Sequence, residues 1–248
     1  MGIPELRIDG GVARITLRRP DQANRLEPDD LAALADHIAT VNGRPEVLVL
    51  VLQSAGKYFC SGYDISKIGG PGSIGFEAVI NLLEDCRPVT VAVLQGSVYG
   101  GATDMALACD FRVGARGIDM FMPAARLGLH FYPRGLERYV SRLGLDQAKR
   151  LFLTAERINA DEMKAIGFLT QLVPAEELGK AADALIGTLS SMAPLPLIGM
   201  KKHLNRIARG TVDAADLQFD MARSVASADL REGQSAWTEK RKPRFTGQ

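Results

Sequence analysis

The stretch VTVAVLQGSVYGGATDMALACD, residues 89–110, contains an apolar run, a Gly-rich turn and a second apolar run in direct succession. Residues 89–94 are typical of a β-strand that is covered on both faces. Residues 96–101 form the turn, and residues 102–108 have the composition of a buried helix. A similar apolar run at 47–52 predicts a second buried strand. Strands and helices in this alternation predict an α/β core with parallel pairing.

The N-terminal residues extend the alternation. Residues 5–9 and 12–17 alternate polar and apolar side chains around a Gly-Gly pair, which predicts a β-hairpin. Apolar side chains from residue 28 onward follow helical spacing until Gly43, which ends the predicted helix.

Past about residue 145 the sequence is mainly helical in pattern. Further helices are predicted at 76–86, 145–153, 160–166, 175–191, 195–208, 212–227 and 230–241, and further strands at 110–114 and 169–173. We therefore predict an α/β core over residues 1–192 and a helical C-terminal section over residues 193–248.

Composition excludes several classes of protein. Lys plus Arg total 30 and Asp plus Glu total 29, so the net charge of +1 gives no reason to expect a nucleic-acid or membrane partner. Three scattered cysteines and three histidines without ligand spacing predict neither a disulfide framework nor a metal site. The N-terminus lacks the pattern of a signal peptide, so we expect a cytoplasmic protein.

Two loops carry the residues that are suited to chemistry. Residues 56–65 and 96–104 follow the two buried strands, and ligands of open α/β sheets bind beyond the carboxyl ends of strands. Their glycines allow close approach of backbone to a ligand, and a helix start offers unpaired N–H groups. One N–H from each loop can hold a carbonyl oxygen that gains negative charge. The alternative is that both loops are ordinary tight turns.

Four motifs in this order resemble the crotonase family, also called the enoyl-CoA hydratase/isomerase superfamily. They are RPDQANRL at 19–26, FCSGYDI at 59–65, the glycines, acid and Cys-Asp pair within 96–110, and EG..AW.EKR at 232–241. The resemblance implies a crotonase-like spiral of β-β-α units with a helical C-terminal section that forms trimers or dimers of trimers. It implies an acyl-CoA substrate, with coenzyme A as part of that substrate and no separate cofactor.

The resemblance also assigns site residues. It implies that the backbone N–H groups of Tyr63 and Gly101 form an oxyanion hole, and that Trp237 and Lys240 of a neighbouring subunit touch the coenzyme A. Trp237 and Lys240 are expected on one face of a helix. The other substrate-binding positions that it implies are Ala23, Arg25, Ser61, Gly62, Asp64, Ile65, Gly100, Ala124 and Tyr132.

The sequence departs from the family at the two catalytic glutamates. Asp104 replaces the first glutamate and is shorter by one carbon–carbon bond, about 1.5 Å. Ala124 replaces the second. His130, Tyr132 and Arg134 in the following loop are candidates to substitute. His130 offers an imidazole suited to acid–base work, Tyr132 a phenol and Arg134 a fixed positive charge. The alternatives are that His130 and Tyr132 only pack beside the cleft, and that Asp104 only complements the dipole of its helix.

These departures leave several reactions open. The resemblance implies hydration or dehydration of an enoyl-CoA, or double-bond isomerisation, which needs only one well-placed base. A second hypothesis is an acyl-CoA hydrolase, decarboxylase or C–C bond hydrolase that uses His130. A third is a catalytically silent, CoA-binding member of the family.

Overall fold

The computed structural model describes residues 2–67 and 74–248, in which the chain forms nine strands and ten α-helices. The strands are β1 (Gly2–Asp9), β2 (Val12–Arg18), β3 (Val49–Ser54), β4 (Val89–Leu94), β5 (Val98–Tyr99), β6 (Phe111–Ala115), β7 (Asp119–Phe121), β8 (Ile158–Asn159) and β9 (Gln171–Val173). The helices are α1 (Pro28–Asn42), α2 (Phe76–Glu84), α3 (Gly101–Ala108), α4 (Pro133–Leu143), α5 (Leu145–Thr154), α6 (Ala160–Ala165), α7 (Leu178–Ser190), α8 (Pro194–Ala208), α9 (Ala214–Ala226) and α10 (Ala228–Glu239).

The main sheet has six strands in the order β1-β2-β3-β4-β6-β9. The first pair is the predicted antiparallel hairpin, and every later pair is parallel. Strands β3 and β4 lie at its centre, and their apolar side chains belong to the hydrophobic core, as the unbroken apolar runs predict. A small second sheet has the order β5-β7-β8, and its strand β5 lies within the second site loop.

Helix α4 was not predicted. The sequence pattern around residues 128–135 is typical of a loop because it contains glycines and a proline, yet the helix begins at Pro133. A proline is well tolerated in the first turn of a helix, where its missing N–H has no partner to lose.

The two site loops pass each other at backbone contact. A Cβ on Gly96 would lie 1.9 Å from the carbonyl oxygen of Lys57, so no larger residue fits there. Cys60 pairs with Val98, and Leu26 pairs with Tyr63, as isolated parallel bridges. These pairings bring the segment 19–26 and both loops to one edge of the sheet.

Asn24 holds this edge together. Its side chain is buried, donates to the carbonyl oxygens of Ala55 and Tyr58 at 2.8 and 2.9 Å, and accepts from the N–H of Arg19 at 2.9 Å. Asn is one of the few residues that tolerate the left-handed backbone found here, with φ at 53°.

The C-terminal helices α8 to α10 expose many apolar side chains, and α9 buries none of its residues. Helix α10 ends at Glu239, and Lys240 caps it in a left-handed conformation. Trp237 and Lys240 therefore do not share a helix, and that expectation was wrong. The boundary between residues 192 and 193 stays a prediction.

Over the described residues, no single helix has the length and apolar character needed to cross a membrane. Residues Ala175–Ser190 and α8 meet the criteria of length and composition only as a pair, and that pair is bent by 108°.

We predict that Gly96→Ala lowers the free energy of unfolding by about 3 kcal/mol, because a methyl group has no room beside the Lys57 carbonyl. The control is Gly179→Ala in α7, where a Cβ meets no atom within 4 Å and alanine favours the helix. Urea unfolding followed by circular dichroism measures both. An unchanged free energy of unfolding in Gly96→Ala would show that the loops do not need this contact.

Candidate active site

Two backbone N–H groups, those of Tyr63 and Gly101, lie where the loops meet. Gly101 is the first residue of α3, so its N–H belongs to the unpaired donors of a helix start. Neither this N–H nor that of Tyr63 has a hydrogen-bond partner within residues 2–67 and 74–248. The two loops are close here, since a Cβ on Gly62 would lie 3.2 Å from the nitrogen of Gly101.

Gly62 and Gly100 give the loops this shape. Their φ angles are 100° and 56°, in a region where a side chain would strain the backbone. Glycine at both positions therefore lets the two loops turn toward each other.

The ring of Phe76 lies beside Gly101 and neighbours two further aromatic rings. The centroid of the Phe76 ring lies 5.7 Å from that of Tyr63 and 6.3 Å from that of Tyr132. Phe76 covers Gly101 closely, because a Cβ on residue 101 would lie 2.8 Å from the tip of its ring. Gly101 thus lies beside a cluster of aromatic rings.

The Asp104 carboxylate is buried and accepts hydrogen bonds at both of its oxygens. Its exposed fraction is 0%. Arg138 donates to both oxygens, from Nε at 2.9 Å and from Nη2 at 2.6 Å. The phenol of Tyr132 donates to Oδ2 at 2.6 Å. The predicted acid is therefore half of a buried, bidentate ion pair.

Arg138 joins this carboxylate to a second one. Its Nη1 donates to Oε2 of Glu84 at 3.0 Å and to the side-chain oxygen of Asn81 at 3.0 Å. Glu84 also pairs with Arg134, Arg142 and Arg209, the last at 2.8 Å. Burial raises the pKa of Glu84, but the surrounding guanidinium charges outweigh it and lower the pKa below its ordinary value.

Sequence reasoning missed Glu84 and Arg138. One signal for them was present: arginines at 134, 138 and 142 are spaced four residues apart, which places them on one face of a helix. Three like charges on one face point to carboxylates opposite them.

Tyr132 keeps its proton. Burial and then the negative charge of Asp104 raise the pKa of its phenol well above the usual range. The protonated phenol therefore donates its hydrogen bond to Asp104.

The other candidates for acid or base lie elsewhere. His130 is exposed, and its Nδ1 lies 2.7 Å from the carbonyl oxygen of Phe131. No hydrogen bond within the described residues joins it to Asp104 or Tyr132. Ala124 is 4% exposed and brings no polar group.

The remaining predicted residues fall into two groups. Ala23 accepts the N–H of Ser61 at 2.9 Å, and Arg25 lies 3.5 Å from Asp64, so these residues line the first loop. Ile65, two residues beyond Tyr63, is exposed. Trp237 lies apart from them, in a groove of about 510 Å³ that is lined by residues of the C-terminal section.

His203 of α8 is buried, with an exposed fraction of 4%. Its Nε2 lies 3.0 Å from Asp220, and Asp216 is close enough that the three groups can share an ion. Lys202 already pairs with both carboxylates, at 2.8 and 2.6 Å. The cluster thus links α8 to α9 through ion pairs.

Comparison with known proteins agrees with this architecture. A family model described as enoyl-CoA hydratase/isomerase matches residues 7–248. The chain is similar to crotonyl-CoA hydratase of Syntrophomonas wolfei, with 30% identity over 94% of both chains. It is similar to methylmalonyl-CoA decarboxylase of Escherichia coli, with 29% identity over 82% of this chain and 83% of that one. It superposes on the crystal structure of enoyl-CoA hydratase from Bacillus anthracis with a TM-score of 0.90 and 26% identity, over 100% of both chains. The predicted fold is confirmed.

We predict that Asp104→Asn lowers the free energy of unfolding by about 3 kcal/mol, because it leaves the buried Arg138 with one carboxylate instead of two. The matched control is Asp183→Asn, which removes an exposed pair with Arg14 and changes stability by less than about 0.5 kcal/mol. Urea unfolding compares the two. Equal effects would show that the buried pair contributes no more than the exposed one.

Proposed function

Because this chain belongs to the enoyl-CoA hydratase/isomerase family, we propose that it binds acyl-CoA thioesters and stabilises their enolates with the backbone N–H groups of Tyr63 and Gly101. The observation that carries the proposal is that both N–H groups lack a partner among the described residues, at a point where the two loops are in contact. Such fixed donors gain strength in an apolar surrounding, and the ring of Phe76 lies beside Gly101.

Within this type of reaction, the site favours double-bond isomerisation over hydration. Hydration by two carboxylates needs an acid at position 124, where the chain has a buried alanine. Loss of one general acid or base lowers the rate by about 10²–10⁴-fold. Isomerisation moves a single proton and does not need the second acid, but it needs one base, so Asp104 would have to exchange one of its present hydrogen bonds for the substrate.

Decarboxylation of a malonyl-type CoA thioester is a second candidate, favoured by the state of Asp104. Both of its oxygens are bonded and it is enclosed, so it is poorly placed to abstract a proton from a substrate. Loss of CO₂ produces the same enolate without a base. The relative named methylmalonyl-CoA decarboxylase supports this candidate. The hydrolytic alternatives that rely on His130 gain no support, because His130 is exposed.

One panel of substrates separates the hypotheses. The purified protein is incubated with a 3-enoyl-CoA, a 2-enoyl-CoA, malonyl-CoA and methylmalonyl-CoA, and the products are followed by mass spectrometry. Conversion of the 3-enoyl to the 2-enoyl ester supports isomerisation, and release of CO₂ supports decarboxylation. Binding without turnover of any ester would support the silent, CoA-binding alternative.

We predict that Gly101→Pro lowers kcat by about 10²–10³-fold on the substrate so found, because it removes one of the two N–H donors. Proline is acceptable at the first position of a helix. The control is Gly101→Ala, which adds a Cβ near Phe76 as proline does but keeps the N–H. A folded Gly101→Pro protein with full activity would contradict the oxyanion assignment.

We also propose that the chain forms a homotrimer or a dimer of trimers through its C-terminal helices. The supporting observation is the set of exposed apolar side chains there, Met200, Leu204, Ile207, Phe219, Met221, Val225 and Trp237. Water contact with so much apolar surface is unfavourable, and a second copy of the chain would cover it. Light scattering should give three or six times the 26.8 kDa mass of one chain. A monomer at micromolar concentration would defeat this proposal. A cytoplasmic location, and the lack of nucleic-acid and membrane partners, stay expectations.

A further inference from the structure

We infer that a cavity of about 390 Å³ between the α2–β4 turn and helix α8 binds a phosphate-type polyanion, such as a diphosphate. Five cationic side chains and two acidic ones line this cavity. They are Arg87, Lys201, Lys202, Arg206 and Arg209, with Glu84 and Asp85. The inference goes beyond the proposed function and does not depend on it.

The cavity lies at the end of β4 that is opposite to the glycine loops. Lys201 donates to the carbonyl oxygen of Pro88 at 2.5 Å, directly before β4 begins at Val89. The loops follow the other end of β4, and six residues of strand span about 20 Å. A ligand in this cavity is therefore distant from the N–H groups of Tyr63 and Gly101.

Arg87 is the lining cation that has no carboxylate partner among the described residues. Its Nη2 donates to the carbonyl oxygens of Arg44 and Val47, at 2.5 and 2.6 Å, and its Nε is buried without a partner. Glu46, the acid that acts on it from a distance, pairs with Arg44 at 3.6 Å. Burial lowers the pKa of this guanidinium. An anion in the cavity would compensate its charge.

The two acids that line the cavity are shared among several arginines. Glu84 pairs with Arg134, Arg138, Arg142 and Arg209, and Asp85 pairs with Arg134 and Arg209. Even with Asp104 counted as the second partner of Arg138, four guanidinium groups share three carboxylates. One positive charge of this network is therefore not balanced, and Arg209, which belongs to the network, lines the cavity.

The other three lining cations are held by acids that do not line the cavity. Lys201 lies 2.9 Å from Asp110. Lys202 and Arg206 share Asp216, with Lys202 at 2.8 Å. Ammonium and guanidinium groups have three and five N–H donors, so each can bind a further acceptor while its ion pair persists. The pairs thus fix the cations in place for a ligand.

The donor set selects a phosphate-type anion. A guanidinium presents a planar fork that fits phosphate oxygens, and an ammonium adds a compact charge. Five such groups offer more donors than the two oxygens of a single carboxylate can accept. At about 30 Å³ for each water molecule, the cavity has the volume of about a dozen waters, which is enough for two linked phosphate groups.

The cationic face of α8 differs from the face proposed for assembly. The α8 residues that line the cavity recur at helical spacing along one face, at positions 198, 201, 202, 205 and 206. The exposed apolar residues Met200, Leu204 and Ile207 lie on the opposite face. A trimer formed through the apolar face therefore leaves the cationic face open.

Isothermal titration calorimetry with sodium pyrophosphate tests the site. We expect saturable binding to the wild type, weakened by added NaCl because the attraction is electrostatic. Arg87→Gln removes the uncompensated charge and should raise Kd by about tenfold or more. ADP distinguishes the sources of the anion. Tighter binding of ADP than of pyrophosphate indicates a nucleotide, and equal or weaker binding indicates a free polyphosphate.

Two isosteric variants change the charge of the cavity in opposite directions. Asp85→Asn removes a competitor for Arg209 and should lower Kd by about fivefold, while Asn205→Asp adds a negative charge and should raise Kd by about as much. The matched control is Asp183→Asn, which makes the same charge change at an exposed residue outside the cavity and should leave Kd within about twofold. Thermal melting checks folding. Should Arg87→Gln fail to fold, these variants carry the test.

Two results would overturn the inference. One is the absence of saturable binding to the wild type at about 10 mM pyrophosphate, well above a Kd of 1 mM. The other is a Kd that does not move in opposite directions in Asp85→Asn and Asn205→Asp. The anion would then bind elsewhere, and competition by acetyl-CoA would identify the acyl-CoA site. None of these measurements uses turnover, so the inference can fail while the proposed function stands, and an inactive wild type would not affect the inference.

Discussion

A buried guanidinium between two carboxylates is the constraint on which the site depends. Arg138 of α4 lies between Asp104 of α3 and Glu84 of α2, and each of the three is nearly inaccessible to water. Charges removed from water are tolerated only when they are paired and hydrogen-bonded. The three helices therefore have one relative arrangement that satisfies all three groups. That arrangement sets where Phe76 of α2 lies beside Gly101 and where Tyr132 bonds to Asp104.

Much of the fold was predictable because its signals are local. The apolar runs of β3 and β4 and the spacing in α1 predict their own structure. Helix α4 escaped prediction for a physical reason. Its buried face includes Gly135, Arg138 and Tyr139, while Val140 is exposed. An inward-facing arginine and an outward-facing valine remove the apolar periodicity on which such predictions depend.

The candidate site was likewise predictable only in part. The two glycine loops were predictable, since glycine in a turn after a buried strand has a conformational cause that can be seen in the sequence. The bonding state of Asp104 was not, because its partner lies 34 residues away on the helix that was missed.

The order of Glu84, Asp104 and Arg138 along the chain has a consequence for biosynthesis. On the ribosome the two acids emerge first, and Arg138 follows Glu84 by 54 residues and Asp104 by 34. Until α4 is released, the nascent chain has no cation from that helix to bury with the acids, and hydrated carboxylates resist enclosure. The central strands can pair early, but closure of the core around the acids waits for α4. The site therefore matures only after the middle of the chain, residues 133–143, has been released.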